Sequence, residues 1–198
     1  MTHHKTIIIV AATLLIAVAF PSCKRHTPTP KPQAYLRIDT PQASYHVCDS
    51  AYLPFTFEQN TISAIELKKQ TPRDVWVDLK YDTWDGVVFL SYKRMQSEAD
   101  LRGQTDTSMR LMEAHYQFTN GVEEQHYEDP ERKVYGSAYR LRGTRVASTY
   151  QFWVTDSSRH FLRGAIYLNQ APNNDSLAPV ISYLQADVDH LIETLRWR

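Results

Sequence analysis

The sequence predicts an α+β fold for residues 34–198, in which an antiparallel sheet is flanked by two main helices. Short segments in which apolar and polar residues alternate indicate half-buried strands. Turn residues follow these segments closely, so consecutive strands are joined as hairpins and the sheet is antiparallel. Two other segments have the apolar spacing of helices. Helices that cover the faces of such a sheet give a layered sandwich.

The first half of this domain contains five predicted strands, at residues 35–39, 52–58, 62–67, 75–81 and 87–93. Pro54 places the second strand at a sheet edge, because proline cannot donate a ladder hydrogen bond. The Asp85-Gly86 pair predicts a hairpin that joins the last two strands.

A helix is predicted to follow, with Thr105 or Asp106 as its amino-terminal cap and Asn120-Gly121 at its end. Gly103 argues against a much earlier start, because glycine disfavours a helix interior. One side of this helix is predicted to be apolar and to consist of Met109, Met112, Tyr116 and Phe118.

Four more strands are predicted at residues 122–127, 134–141, 146–155 and 161–169, with a tight hairpin at 142–145. The final helix is capped by Asp175 or Ser176, and Pro179 lies in its first turn, where a missing N–H costs little. Its buried side is predicted to comprise Leu177, Val180, Ile181, Leu184, Val188, Leu191, Ile192 and Leu195. Its solvent-exposed side is predicted to carry Asp187, Asp189 and Glu193.

Residues 1–22 have the pattern of a lipoprotein signal peptide. Lys5 precedes an apolar run at 7–20, which is shorter than the roughly 20 residues that cross a membrane comfortably. The sequence Phe20-Pro21-Ser22-Cys23 is similar to a bacterial lipobox, so Cys23 is the predicted lipid attachment residue. The alternative is that the apolar run forms an uncleaved anchor or a buried helix.

Residues 23–33 are predicted to form a lipid-anchored, proline-rich tether. Alternating prolines favour an extended polyproline II segment, which rises about 3.1 Å per residue and reaches roughly 30 Å here. The residues that follow Cys23 are basic, and neither acidic surface-export signals nor an inner-membrane retention Asp is present. The periplasmic face of the outer membrane is therefore the predicted location.

Charge and cysteine content narrow the function further. The chain has 22 basic and 22 acidic residues and a net charge of zero, which argues against nucleic acid as a partner. It has 2 cysteines, so Cys48 lacks a partner in the chain if Cys23 carries lipid. Cys48 is then either a small apolar residue near the core or a reactive thiol.

The sequence contains no phosphate loop, zinc spacing or nucleophile elbow, and we therefore predict no catalytic residue, metal or cofactor. Asp156-Ser157 with His160 could form a hydrolytic triad, but a turn explains these residues better. The strongest candidates for a metal site, which solvated or capped side chains also explain, are His115, His126, His160 and His190 with Glu123 and Glu124.

Aromatic residues provide a candidate contact patch, because they are enriched at protein interfaces. The alternative is that they fill a core between sheet and helix. The residues concerned are Tyr150, Trp153, Tyr167 and Trp197, with Tyr183 as a further member.

Several long strings resemble the gliding motility lipoprotein GldD family. They lie at residues 31–37, 54–58, 121–125, 133–136, 151–157, 160–167, 172–176, 179–180 and 193–197. The resemblance implies a lipoprotein of Gram-negative bacteria that is needed for gliding motility or the linked type IX secretion machinery. Its order of sheet and helices is also similar to the PsbP/Mog1-like sandwich.

Three functional readings follow. In the first, the chain is a non-enzymatic assembly component that contacts other envelope proteins from a lipid anchor. In the second, it is a periplasmic binding module for a small ligand or glycan. In the third, it is an envelope hydrolase. An exposed apolar patch would favour the first, a deep polar pocket the second, and titrating groups in a cleft the third.

Overall fold

The computed structural model describes residues 37–198, so the predicted signal peptide, Cys23 and the tether lie outside the described residues. Residues Leu36–Arg198 form one compact unit. Its helices are α1 (Glu98–Glu113) and α2 (Ala178–Thr194). Its strands are β1 (Tyr45–Cys48), β2 (Phe55–Asn60), β3 (Ala64–Gln70), β4 (Asp74–Tyr81), β5 (Gly86–Arg94), β6 (Gly121–Asp129), β7 (Val134–Arg142), β8 (Tyr150–Thr155), β9 (His160–Leu168) and β10 (Arg196–Trp197).

The main sheet has seven strands in the order β3-β4-β5-β9-β8-β7-β6, and every neighbouring pair is antiparallel. The pairing of β5 with β9 joins the first half of the domain to the second. A smaller sheet has the order β1-β2-β10. The predicted α+β class, with an antiparallel sheet and two helices, is confirmed.

The two faces of the main sheet pack differently. The inner face contributes Val77, Leu90, Phe152 and other buried residues to one core cluster, together with α2 and the small sheet. The outer face shares a smaller cluster with α1, which consists of Met112, Tyr139, Leu141 and Val146. The buried residues of α2 are Val180, Ile181, Leu184, Asp187, Val188, Leu191 and Ile192, whereas those of α1 are Ser108 and Met112.

The beginning of the domain differs from the prediction. Residues 37–39 of the first predicted strand have no regular structure, and the exposed side chains of Arg37 and Asp39 bind each other. The unpredicted β1 pairs with β2 instead. Pro54 lies just before β2 rather than in it, so β2 occupies the centre of the small sheet and the edge prediction was wrong.

Helix α1 begins earlier and ends earlier than predicted. Ser97 caps it by accepting a hydrogen bond from the Asp100 backbone N–H, and Glu98 and Asp100 place negative charge at its positive end. Gly103 is tolerated inside the helix because it lies on an exposed side. Helix α1 ends at Glu113, and residues 116–118 form a separate 3-10 turn in which Tyr116 and Phe118 are exposed.

Two predicted details near α2 were also wrong. The loop between β7 and β8 spans residues 143–149, because Val146 is buried and Asn174 donates to the Gly143 and Val146 carbonyls. Neither Asp175 nor Ser176 caps α2, because Leu177 occupies the cap position and Asp175 accepts a hydrogen bond from Thr144. The proline in the first turn and the buried side of α2 are confirmed, with Leu177 only half-buried.

Candidate functional site

The outer face presents a continuous row of polar and aromatic side chains across its central strands. Trp76 on β4 lies opposite Ser91 on β5, and Ser91 lies opposite Arg163 on β9. Arg163 in turn lies opposite Trp153 on β8. Directly opposed residues in an antiparallel sheet point to the same side, so all four side chains project toward the side that α1 covers in part.

Beside this row, large apolar side chains remain exposed. We define the outer-face patch as Trp76, Phe89, Leu111 and Tyr167. Trp76, Phe89 and Leu111 are 46%, 39% and 46% exposed, and Tyr167 packs against Phe89 with ring centroids 5.5 Å apart. Trp76 and Phe89 are diagonal neighbours on adjacent strands, which places their Cα atoms roughly 7–8 Å apart. An exposed apolar patch of this kind is typical of a protein contact surface.

The sequence prediction included only Tyr167 from this patch. It missed Trp76, Phe89 and Leu111 because alternation shows which residues share a face, but not which part of that face a helix covers. The 3-10 turn that follows α1 adds Tyr116 and Phe118, which are 45% and 48% exposed.

A cleft of about 180 Å³ opens between α1 and the outer face. Trp76, Leu111 and Phe161 supply apolar walls, and Arg163 and Lys93 supply positive charge. Polar groups from Ser91, Gln104, Thr107 and Ser108 complete the lining, together with Asp74 and Tyr92.

Arg163 is the unusual member of this cleft. One terminal nitrogen of its guanidinium donates to Gln151 Oε1 at 2.5 Å, and among residues 37–198 no carboxylate lies within 4.0 Å of it. Burial lowers the pKa of the Arg163 guanidinium. Arginine nevertheless stays charged in proteins, so the half-buried positive charge of Arg163 lacks a compensating acid.

Two further donors next to Arg163 lack acceptors. Within the described chain, the buried side-chain polar atoms without a hydrogen-bond partner are Gln151 Nε2 and Trp153 Nε1. Gln151 is the hydrogen-bond partner of Arg163, and Trp153 is its cross-strand neighbour. Around Arg163, the outer face therefore contains N–H groups of Gln151 and Trp153 that have no acceptor.

The four residues of the predicted contact patch do not come together. Tyr150 is fully buried on the inner face, so it presents no contact surface. Trp153 and Tyr167 lie on the outer face, where Trp153 stacks on Phe161 at 5.9 Å. Trp197 lies on the small sheet, stacks on His160 at 5.1 Å and donates to the Lys133 carbonyl. A single patch through all four is therefore incorrect.

Tyr183, the further member of that set, is half-buried and packs edge-on against Trp84 at 5.1 Å. Its hydroxyl accepts a hydrogen bond from Asn60 Nδ2 at 2.8 Å. It therefore belongs to the packing around α2 rather than to the outer face.

The candidate triad residues form a turn. Asp156 Oδ1 accepts backbone N–H bonds from Ser158, Arg159 and His160 at 2.7–2.9 Å. Burial alone would raise the pKa of the Asp156 carboxyl, but these backbone bonds outweigh it and the pKa is lowered. The turn interpretation is confirmed, because the Asp156 carboxylate is bound by the backbone N–H groups of the residues that follow, and Ser157 within the turn has a φ of 65°.

The candidate metal histidines are distributed across the fold. His160 Nδ1 lies 2.9 Å from the Tyr92 hydroxyl, His126 Nδ1 lies 3.0 Å from Ser137 Oγ, and His190 Nε2 lies 2.7 Å from Glu58 Oε2. Burial lowers the pKa of both His160 and His115. In residues 37–198, no group of three or more His, Cys, Asp or Glu side chains is placed to hold a metal ion.

The prediction that the acidic residues of α2 form a solvent-exposed row was wrong. Asp187 is only 5% exposed. Its Oδ1 accepts from Asn60 Nδ2 at 2.9 Å, and its Oδ2 accepts from the Tyr81 hydroxyl. Burial, then the Asp187 charge, raises the pKa of Tyr81, so this phenol remains a donor.

Asp189 occupies a second network on the other side of α2. Its Oδ1 accepts from the hydroxyls of Tyr127 and Tyr150, and its Oδ2 accepts from Arg140 at 2.5 Å. The signal in the sequence was the tyrosines themselves, because tyrosines at inner-facing strand positions need acceptors. Glu193 alone of the three predicted residues is exposed.

Cys48 is buried and is a free cysteine. Burial raises the pKa of its thiol, which disfavours the reactive thiolate. These observations support the interpretation of Cys48 as a small apolar core residue. The predicted lipid attachment residue, Cys23, lies outside the described residues.

An open cleft of about 710 Å³ lies where β9 begins and the chain ends. Its basic side chains come from Arg132, Lys133, Arg159, Arg196 and Arg198, and its acids are Glu131 and Asp156. Arg132 is engaged by Asp129, and Arg198 by Asp49. We call this site the basic cleft.

The fold and its surfaces define a sheet-dominated α+β domain with one well-packed face and one contact-prone face. No helix in residues 37–198 has both the length and the apolar content needed to cross a bilayer. A family model described as gliding motility lipoprotein GldD matches residues 25–197. The chain therefore belongs to the gliding motility lipoprotein GldD family. A comparison with curated proteins found no match.

Family membership supports three coarse statements about this chain. It is a lipoprotein of the cell envelope, it associates with the membrane, and its biological setting is gliding motility.

Proposed function

We propose that this chain is a non-enzymatic lipoprotein that supports gliding motility, type IX protein secretion or both through contacts with other envelope proteins. The observation that carries the proposal is the outer-face patch, because it exposes two aromatic rings and a leucine beside a helix that buries little. Aromatic residues contribute strongly to protein interfaces when they become desolvated.

The state of the acidic residues supports a non-enzymatic role. The carboxylate oxygens of Asp187 and Asp189 accept hydrogen bonds from tyrosine, asparagine and arginine donors within the fold. One oxygen of the Asp156 carboxylate accepts hydrogen bonds from backbone N–H groups. These carboxylates therefore stabilise the fold through hydrogen bonds within the protein.

The proposed site of action is the periplasmic face of the outer membrane, with Cys23 lipidated as the anchor. One acyl chain gives only marginal membrane binding, whereas several give a stable anchor. Replacing Cys23 by Ser is expected to move the protein from the membrane fraction to the soluble periplasmic fraction. Equal membrane retention of Cys23→Ser and wild type would disprove the anchor.

A matched pair of double variants tests the contact function. Trp76→Ser with Phe89→Ser removes two rings of the outer-face patch, whereas Val47→Ser with Ile62→Ser removes two exposed apolar residues at the small sheet and its following turn. We expect the first pair to abolish colony spreading at normal protein abundance, and the second pair to spread like wild type. Normal spreading by the first pair would overturn the proposal.

A second candidate function is the binding of a small periplasmic ligand or glycan, and the basic cleft favours it. Its volume of about 710 Å³ falls within the range of small-molecule sites, about 300–1,000 Å³. Calorimetric titration with an anionic disaccharide tests this reading. Binding that Arg159→Gln with Arg196→Gln weakens at least tenfold supports it, and absence of heat in wild type rejects it for that ligand class.

A further inference from the structure

We propose that the cleft between α1 and the outer face is a carboxylate-binding site, in which the Arg163 guanidinium receives the anion. The cleft shares Trp76 and Leu111 with the outer-face patch, and it would bind an acidic side chain of the protein that contacts this patch. The biological setting of the site therefore rests on the proposed function. The binding chemistry stands independently of that setting.

Arg163 is half-buried and carries a positive charge without an acid partner. Removing a charge from water is costly unless it is paired, and Arg163 has no carboxylate within 4.0 Å among the described residues. Lys93 adds a second positive charge to the lining. The acid in the cleft, Asp74, already binds Lys69 Nζ at 3.4 Å.

Most hydrogen-bond donors of Arg163 are free. A guanidinium has five N–H donors, and within the described chain the Arg163 side chain donates to one acceptor, Gln151 Oε1. The same Gln151 leaves its Nε2 without a partner, and so does Trp153 at Nε1. Neither Gln151 nor Trp153 lines the cleft, so the donors that a bound acceptor would reach there are those of Arg163 that Gln151 Oε1 leaves free.

The shape of the cleft selects the ligand class. The cleft holds about 180 Å³, which is below the range of sites for cofactor-sized molecules. Trp76, Leu111 and Phe161 form apolar walls that suit a carboxylate on a short apolar stem, such as an Asp or Glu side chain. A planar carboxylate also matches the paired donors of a guanidinium.

Gln151 acts as a positioning residue. It is 2% exposed, and its Oε1 fixes one end of the Arg163 guanidinium from β8. Arg163 lines the cleft, so its donors that do not bond to Gln151 Oε1 are available to a ligand there.

The experiment uses full-length protein in a non-ionic detergent, with ¹⁵N incorporated at tryptophan. The chain has 4 tryptophans, so the indole N–H spectrum contains few signals and each is assigned with a Trp→Phe variant. Trp76 lines the cleft and Trp153 neighbours Arg163, whereas Trp84 lies outside both this cleft and the basic cleft, so its signal is the internal control.

The probes are sodium acetate, sodium phosphate and sodium chloride at matched ionic strength. A capped Leu-Glu-Leu tripeptide and its Leu-Gln-Leu counterpart distinguish a free carboxylate from a partner's acidic side chain. We expect acetate to shift the Trp76 and Trp153 signals saturably, and chloride to leave them unchanged. The Glu peptide is expected to bind at least tenfold more tightly than acetate, and the Gln peptide to lose this binding.

Arg163→Gln is expected to abolish the shifts, and Arg163→Lys to retain part of them. Arg145→Gln, at an exposed arginine that lines neither this cleft nor the basic cleft, is the matched control and should bind like wild type. Acetate is also expected to raise the melting temperature of wild type but not of Arg163→Met, which should be at least as stable as wild type without ligand. This last readout separates a ligand-binding role from a structural one.

Three results would overturn the proposal. These are the absence of saturable shifts with both acetate and the Glu peptide, equal shifts in Arg163→Gln, and a stronger response to phosphate than to acetate. Acetate binding without tighter peptide binding would retain the carboxylate site but remove its link to a protein partner. Loss of colony spreading in the Trp76 and Phe89 double variant would still test the contact function separately.

Discussion

The two faces of the main sheet differ in how completely a helix covers them. On the inner face, α2 buries an apolar side and two aspartates, and each aspartate finds donors from the strands beneath it. On the outer face, α1 buries little, aromatic rings remain exposed, and Arg163, Gln151 and Trp153 retain unused donors. The inner face is complete by itself, whereas the outer face is suited to a partner.

Truncating one leucine in each helix tests this contrast with the largest expected effect. Leu184 on α2 is fully buried, so Leu184→Ala is expected to cost about 2–5 kcal/mol in free energy of unfolding. Leu111 on α1 is 46% exposed, so Leu111→Ala is expected to cost within about 0.5 kcal/mol. Urea titration measures both, and similar losses would remove the distinction between the helices.

Removing one acid from each helix gives the next largest effect. Asp187→Ala leaves the Asn60 amide and the Tyr81 hydroxyl without their acceptor in the interior, which costs roughly 1–3 kcal/mol for each donor. We therefore expect the free energy of unfolding to fall by about 2–5 kcal/mol. Asp106→Ala on the exposed side of α1 is the control and should change stability by less than about 0.5 kcal/mol. A neutral Asp187→Ala variant would show that the inner network contributes nothing.

A smaller effect is expected from pH. The folded protein holds the pKa of His160 below its ordinary value, so the unfolded chain takes up a proton more readily. Stability should therefore fall as the pH drops below about 6.5, the pKa of an unfolded histidine. His160→Asn should reduce this slope in urea titrations at pH 7.5 and 5.5. An unchanged slope would show that His160 does not contribute, leaving His115 and other groups to account for it.

The smallest effect on stability is expected at the outer-face patch. Trp76→Ser and Phe89→Ser are each expected to cost about 1 kcal/mol or less, because both rings are already partly in water. Thermal unfolding of each single variant measures this. A loss as large as that of Leu184→Ala would mean that these rings belong to the core rather than to a contact surface.

Residue periodicity was sufficient for most elements of this fold. The alternating segments predicted eight of the ten strands, β2 to β9, at least in part, and the spacing of Leu184, Val188 and Leu191 predicted α2 and its buried side. It failed at Tyr45–Cys48, which forms a strand because β2 offers a partner. It also failed for α1, where the Ser97 cap outweighed the glycine at 103.

The candidate site was less predictable because it depends on what a face is packed against. Period-two alternation places Trp76, Phe89 and Arg163 on strands. It cannot show that α1 leaves Trp76 and Phe89 exposed, or that no carboxylate lies next to Arg163. Asp187 and Asp189 resemble exposed helix acids in sequence, and only the strands beneath them reveal their donors. The family itself was recognisable from long strings, which require no knowledge of packing.

The most direct test of the difference between the faces is photo-crosslinking in living cells. A photoreactive amino acid would replace Phe89 in one strain and Val47 in another, since both positions are exposed and lie on different surfaces. We expect the Phe89 position to give discrete adducts with envelope proteins, and the Val47 position to give none at equal abundance. Adducts from Val47 alone, or from neither position, would contradict a contact role for the outer face.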